Sequence, residues 1–130
     1  MLKKIKEISR SFYYAGRGLV YVVKNERNFQ IELLAAYGVF ILAIWWRVTR
    51  WEAVVLVLTV GLVLILEILN TALERVVNIL KPGVHPWAKV VKDSLAAAVF
   101  LSCLVAIIIG IFIFWPYFFS VEIFGFKNGE

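Results

Sequence analysis

The chain has 130 residues, 62% of them hydrophobic and only 18% charged, with a mean hydropathy of +0.87 and a net charge of +5. A soluble domain of this size has too little interior to hide that much apolar surface, so a water-soluble globular protein is excluded. The positive charge is concentrated near the N-terminus, where attraction to anionic lipid explains it better than nucleic-acid binding does.

Residues 1–28 read as an amphipathic surface segment. Ile5, Ile8, Phe12, Ala15, Leu19 and Val22 recur in steps of three and four, with Lys3, Lys4, Lys6 and Arg10 off that stripe. Gly16 and Gly18 weaken the helix locally and predict a bend. Basic residues interrupt the segment throughout, which leaves no signal-peptide core and predicts a protein that is not secreted. The polar run Lys24-Asn25-Glu26-Arg27-Asn28 leads into the first span.

Three uncharged blocks follow, at 33–46, 53–66 and 94–121. The third is long enough to cross a bilayer outright. The first two reach the necessary length of roughly 20 residues only when Glu32 and the polar segment 67–73 are counted in. Spans are therefore expected at 29–48, 51–73 and 92–120, with 74–91 a connection that includes the start of the last helix. The four residues 47–50 make the first two spans an antiparallel hairpin. Lys81-Pro82-Gly83-Val84-His85-Pro86 ends the second helix. The whole chain reads as a single all-α integral membrane domain.

Eleven of the fourteen basic residues lie in 1–30 and 74–93, which fall on one side of a three-span protein. The positive-inside bias makes that side cytoplasmic and puts the C-terminus outside. Trp45, Trp46, Trp51, Trp115 and Tyr117 then share the outer interface, where amphipathic aromatics collect. Cys103 is alone, within the third apolar block, and reads as a packing residue.

The chemistry is concentrated at the end of the second span. Glu67, Asn70, Thr71 and Glu74 stand at i, i+3, i+4 and i+7, on one helix face. Glu67 is roughly 21 Å along the helix from Ala53, on the inner-leaflet side, a depth suited to chemistry on a lipid headgroup. Glu32, Lys92 and Asp93 fall at the same level from the other two helices. Carboxylate and amide oxygens such as those of Glu32, Glu74 and Asn70 suit Mg²⁺ completed by substrate phosphate. A carboxylate in a poorly hydrated site is well suited to take a proton from an alcohol, which fits Glu67. Lys92 supplies positive charge for a phosphoryl group. Against each residue singly stands an ordinary role: interfacial charge for Glu74, Lys92 and Asp93, snorkelling for Glu32, helix–helix hydrogen bonding for Asn70, and a loop position for His85. No phosphate-binding glycine loop is present.

The block Glu67-Ile68-Leu69-Asn70-Thr71-Ala72-Leu73-Glu74, then His85, then Lys92-Asp93-Ser94 running into Ala96-Ala97-Ala98-Val99, resembles the prokaryotic diacylglycerol kinase/undecaprenol kinase family. Asn25-Glu26 and Glu32 extend the resemblance over nearly the whole chain; Val91 stands where the family usually has alanine. The resemblance implies a homotrimeric helical bundle in the bacterial inner or plasma membrane, transferring phosphate from MgATP to a lipid alcohol. Position by position it implies Glu67 as catalytic base and Glu32 and Glu74 as Mg²⁺ ligands. Asn70, Lys92 and Asp93 would support the phosphates, and Glu26 and His85 would contact the nucleotide. Glu32 and its flanks resemble the diacylglycerol enzymes, whereas Asn25-Glu26-Arg27-Asn28-Phe29 resembles the undecaprenol kinases, and the 81–87 linker departs from both. Diacylglycerol is the expected acceptor and undecaprenol the alternative. A small proton-coupled transporter and a non-catalytic scaffold are the rival readings, though no inverted repeat supports the first.

Overall fold

The computed structural model describes residues 2–79 and 86–125 and builds them from four helices with no strand among them. They are α1 (Leu2–Asn25), α2 (Arg27–Trp45), α3 (Arg50–Ile79) and α4 (Pro86–Gly125). The last three are each long and apolar enough to cross a membrane. Helices are the form such segments must take, because hydrocarbon offers no partner for a backbone N–H or C=O. The most extensive packing is between α3 and α4; α2 packs on α3, and α1 meets α2.

The α1–α2 corner is a single-residue break. Glu26 adopts an extended conformation (φ −107°, ψ 110°) between two helices. Gln30 Nε2 donates to Val23 O at 2.9 Å, a carbonyl left over at the end of α1, and Asn25 Nδ2 adds a second donor to Tyr21 O at 2.7 Å. Val22 and Phe29 are buried on either side of the break. From Ile5 to Tyr21, by contrast, every side chain of α1 is exposed. The helix continues through both Gly16 and Gly18.

At the opposite end, α2 closes in a Schellman motif. Val48 N–H donates to Ala43 O at 3.1 Å and Arg47 N–H to Ile44 O at 3.2 Å, with Arg47 left-handed at φ 52°. A reciprocal capping box then starts α3. Thr49 N–H donates to Glu52 Oε2 at 2.7 Å, and Glu52 N–H reaches back to Thr49 Oγ1 at 3.4 Å. The same Glu52 oxygen accepts from Tyr117 Oη on α4 at 2.6 Å, and Trp46 packs on Phe114 and Tyr117 with ring centroids 5.5 and 6.5 Å away. Trp45, Trp51 and Trp115 surround this end with exposed rings. The aromatic belt expected from the sequence is therefore gathered at one end of the bundle.

The helices overrun the expected spans. α3 has 30 residues, about 45 Å, against a hydrocarbon thickness of about 30 Å. It stays helical six residues past Leu73, through part of the stretch expected as a connection, because nothing before Lys81 breaks it. Those extra turns carry Glu74, Arg75 and Asn78 and form a wall of the site.

Replacing Tyr117 with Phe removes a hydrogen bond to a charged acceptor and is expected to lower the unfolding free energy. Titration with sodium dodecyl sulfate in mixed micelles measures it. An unchanged midpoint would leave the aromatic contacts as what closes this end.

Candidate active site

One face of α3 organises the site. Val60, Val63 and Leu64 face an apolar cavity of about 400 Å³ enclosed by α2, α3 and α4. Thr71, Glu74, Arg75 and Asn78, farther along the helix, line a polar cleft of about 510 Å³ that also includes Glu26. Glu67 is placed between the two, one turn from Leu64 and one from Thr71.

Glu67 is only 2% exposed, although the helix around it is built for lipid contact. Asn70 and Thr71 are buried beside it. Among the described residues, Glu67 Oε2 and Asn70 Oδ1 have no hydrogen-bond partner. Asn28 and Asn70 flank the Glu67 carboxylate, which is also within electrostatic range of Glu74 and Glu26 on the cleft side and of Glu32 on the cavity side. Buried polar oxygens left unpaired in a membrane protein are costly and mark a place where something binds.

The two carboxylates expected to share a metal lie in different compartments. Glu32 lines the apolar cavity and accepts from the Cys103 thiol at 3.8 Å, with its other oxygen buried and unpartnered among the described residues. Glu74 Oε1 pairs instead with Lys92 Nζ at 3.4 Å. Lys92 and Cys103, their respective partners, are eleven residues apart on α4, roughly 16 Å along its axis. The carboxylate that shares the cleft with Glu74 is Glu26, whose Oε1 accepts from Arg75 Nη2 at 2.6 Å. Glu26 is aimed there by the α1–α2 break, which no helical period encodes.

Lys92 thus reaches the site from α4, whereas Asp93 is exposed and does not line the cleft. His85 lies outside the described residues. Asn28, Arg75 and Asn78 are neighbours of the site that the sequence reading passed over. Asn78 continues the 67–71–74 face by one more turn and was legible in that spacing. Arg75 stands on the same face, at i+4 from Thr71, but its pairing with Glu26 of the α1–α2 break is not contained in that spacing.

Among the described residues no three carboxylate, histidine or cysteine side chains form a closed metal cage. The open pair Glu26 and Glu74 nevertheless suits Mg²⁺, which takes one or two protein carboxylates and fills its shell with phosphate oxygens and water.

Comparison with known proteins decides what kind of site this is. Residues 13–114 match the family model for prokaryotic diacylglycerol kinase, covering Glu26, Glu32, Glu67, Glu74 and Lys92. The chain belongs to the prokaryotic diacylglycerol kinase family. Undecaprenol kinase of Bacillus subtilis is 36% identical over 113 residues, 87% of this chain and 92% of the relative. Diacylglycerol kinase of Synechocystis is 41% identical over 101 residues, 77% of this chain but 58% of that longer relative. Diacylglycerol kinase of Escherichia coli K12 is 34% identical over 105 residues, 81% of this chain and 86% of the relative. As a member of this diacylglycerol kinase family the chain is a lipid kinase, with ATP as its co-substrate. The transporter and scaffold readings are set aside.

The division between cleft and cavity is tested by metal binding. With a non-hydrolysable ATP analogue present, Glu26→Gln and Glu74→Gln are each expected to weaken Mn²⁺ binding roughly tenfold or more. Glu32→Gln is expected to leave it within about twofold, as read by electron paramagnetic resonance of free Mn²⁺. An equal loss in Glu32→Gln would return Glu32 to the metal.

Proposed function

We propose that this lipid kinase transfers the γ-phosphoryl group of MgATP to the hydroxyl of diacylglycerol, giving phosphatidic acid and ADP. The observation that carries the reading is the change of character along one face of α3, apolar cavity before Glu67 and charged cleft after it. A reaction between a membrane alcohol and a water-soluble triphosphate needs that juxtaposition.

In this reading the lipid reaches Glu67 from the membrane side and the nucleotide occupies the cleft. Glu67 accepts the hydroxyl proton as the alkoxide oxygen bonds to the γ-phosphorus and the bond to the β–γ bridging oxygen breaks, releasing ADP. Asn28 and Asn70 flank the carboxylate and orient it. Lys92 neutralises negative charge on the transferring group. Glu26 and Glu74 would hold Mg²⁺, which when bound offsets phosphate charge. Glu32 belongs to the lipid side, where it borders the cavity with Cys103.

Diacylglycerol is the acceptor named for the Synechocystis and Escherichia coli relatives. Undecaprenol is the second reading, favoured by the Bacillus subtilis relative, which the chain matches over 92% of its length. The surface helix would ride on the anionic leaflet through its basic residues, with the N-terminus cytoplasmic and the C-terminus outside. A homotrimer completes the picture. One chain already buries Glu67 and Asn70, but it leaves Glu67 Oε2 and Asn70 Oδ1 without partners among the described residues, and further subunits would bring donors to them.

The test follows phosphate transfer from labelled MgATP to diacylglycerol and to undecaprenol, side by side, in detergent micelles. Transfer to diacylglycerol is expected, and Glu67→Gln is expected to reduce it by roughly a thousandfold or more while helicity is retained. Substantial turnover in Glu67→Gln would take the base role from Glu67. Transfer to undecaprenol alone would exchange the acceptor.

A further inference from the structure

Arg75 is a half-exposed cation at the edge of the cleft, and nothing so far gives it a task. Its guanidinium donates to Glu26 at 2.6 Å and sits over the Tyr21 ring of α1, 4.8 Å from the centroid. Side-chain exposures of 52% for Arg75 and 25% for Glu26 make this a wet ion pair, which contributes little to stability and is easily exchanged. A guanidinium has five donors, and the bond to Glu26 is made by Nη2 alone.

The cleft is lined by two carboxylates and one cation: Arg75 pairs with Glu26 within it, and Lys92, outside its lining, pairs with Glu74 from α4. A magnesium–triphosphate brings one group that prefers the carboxylates and another that prefers the cations. The C-terminal end of α3, at Ile79, also carries negative dipole charge that repels phosphate within its last turn. An anionic ligand needs fixed positive charge there, and a planar fork meets phosphate oxygens two at a time.

Resting on the kinase reading above, we propose that Arg75 binds the polyphosphate of the nucleotide: on ligand binding it leaves Glu26, freeing that carboxylate, and donates to phosphate oxygens while Tyr21 keeps it at the cleft. Arg75 is then a determinant of affinity for triphosphate over monophosphate.

The experiment measures equilibrium binding of β,γ-methylene-ATP and of AMP, with Mg²⁺, to the native chain, Arg75→Ala and Arg75→Lys in micelles, together with the KM for ATP and for lipid. Arg75→Ala is expected to weaken the triphosphate analogue by about tenfold or more and to raise the ATP KM in step, with AMP binding and the lipid KM within about twofold. Arg75→Lys keeps the charge, and with it the fold, but loses the fork, so its loss falls between native and Ala. Native-like binding of the analogue by either folded variant would overturn the proposal. So would equal weakening of AMP and the analogue, or a lipid KM that rises with the ATP KM, since both mark a merely structural contact. A native chain that transfers phosphate while Arg75→Ala binds normally overturns Arg75 alone. A native chain that binds no nucleotide and transfers no phosphate overturns the kinase cleft with it.

Discussion

A carboxylate buried to 2% exposure on a membrane helix is the constraint around which the molecule is arranged. Taking Glu67 out of water is expensive, and the surrounding helices can offset that only with polar neighbours or a ligand. Asn28, Asn70 and Thr71 approach it, yet one carboxylate oxygen and one amide oxygen remain unmatched among the described residues. The fold therefore carries a site whose polar groups are completed from outside the chain.

The rest of the bundle supports that arrangement from both ends. At the aromatic end, a Schellman turn, a capping box and the Glu52–Tyr117 hydrogen bond tie α2, α3 and α4 together. Their rotation about their axes is thereby restricted, which matters because a small rotation would move Glu67 from between cleft and cavity to the lipid surface. At the charged end, α3 continues past the apolar length, and the Glu26 break brings α1 alongside it. One helix thus passes from an apolar cavity to a charged cleft without interruption, with Glu67 at the boundary.

Charge is handled differently on the two sides of Glu67. In the cleft, each carboxylate has a cation within 3.4 Å, so the site is close to neutral without its ligand. In the cavity, among the described residues, Glu32 has only the weak Cys103 donor. The first arrangement suits exchange with an ionic ligand that carries both signs. The second suits an uncharged lipid, for which strong competing ion pairs would be an obstacle.

Sequence by itself determined the spans, their number and the face bearing Glu67, Asn70, Thr71 and Glu74, because apolar length and the helical period are local properties. The family was legible for the same reason, since its motif is a run along one helix and the start of the next. Only the tertiary structure decided which carboxylates are companions. Glu32 and Glu26 are separated by six positions, and residue type and depth put Glu32 with the Mg²⁺-suited oxygens while leaving Glu26 in the polar run before the span. Glu32 points into the cavity because it follows the period of α2, whereas Glu26 turns to the cleft because it is the extended residue between two helices. Arg75 likewise acquires its partners from α1, through Tyr21 and Glu26, about fifty residues away in the chain. Pairing across helices depends on their rotation and crossing, which spacing along a single helix does not contain.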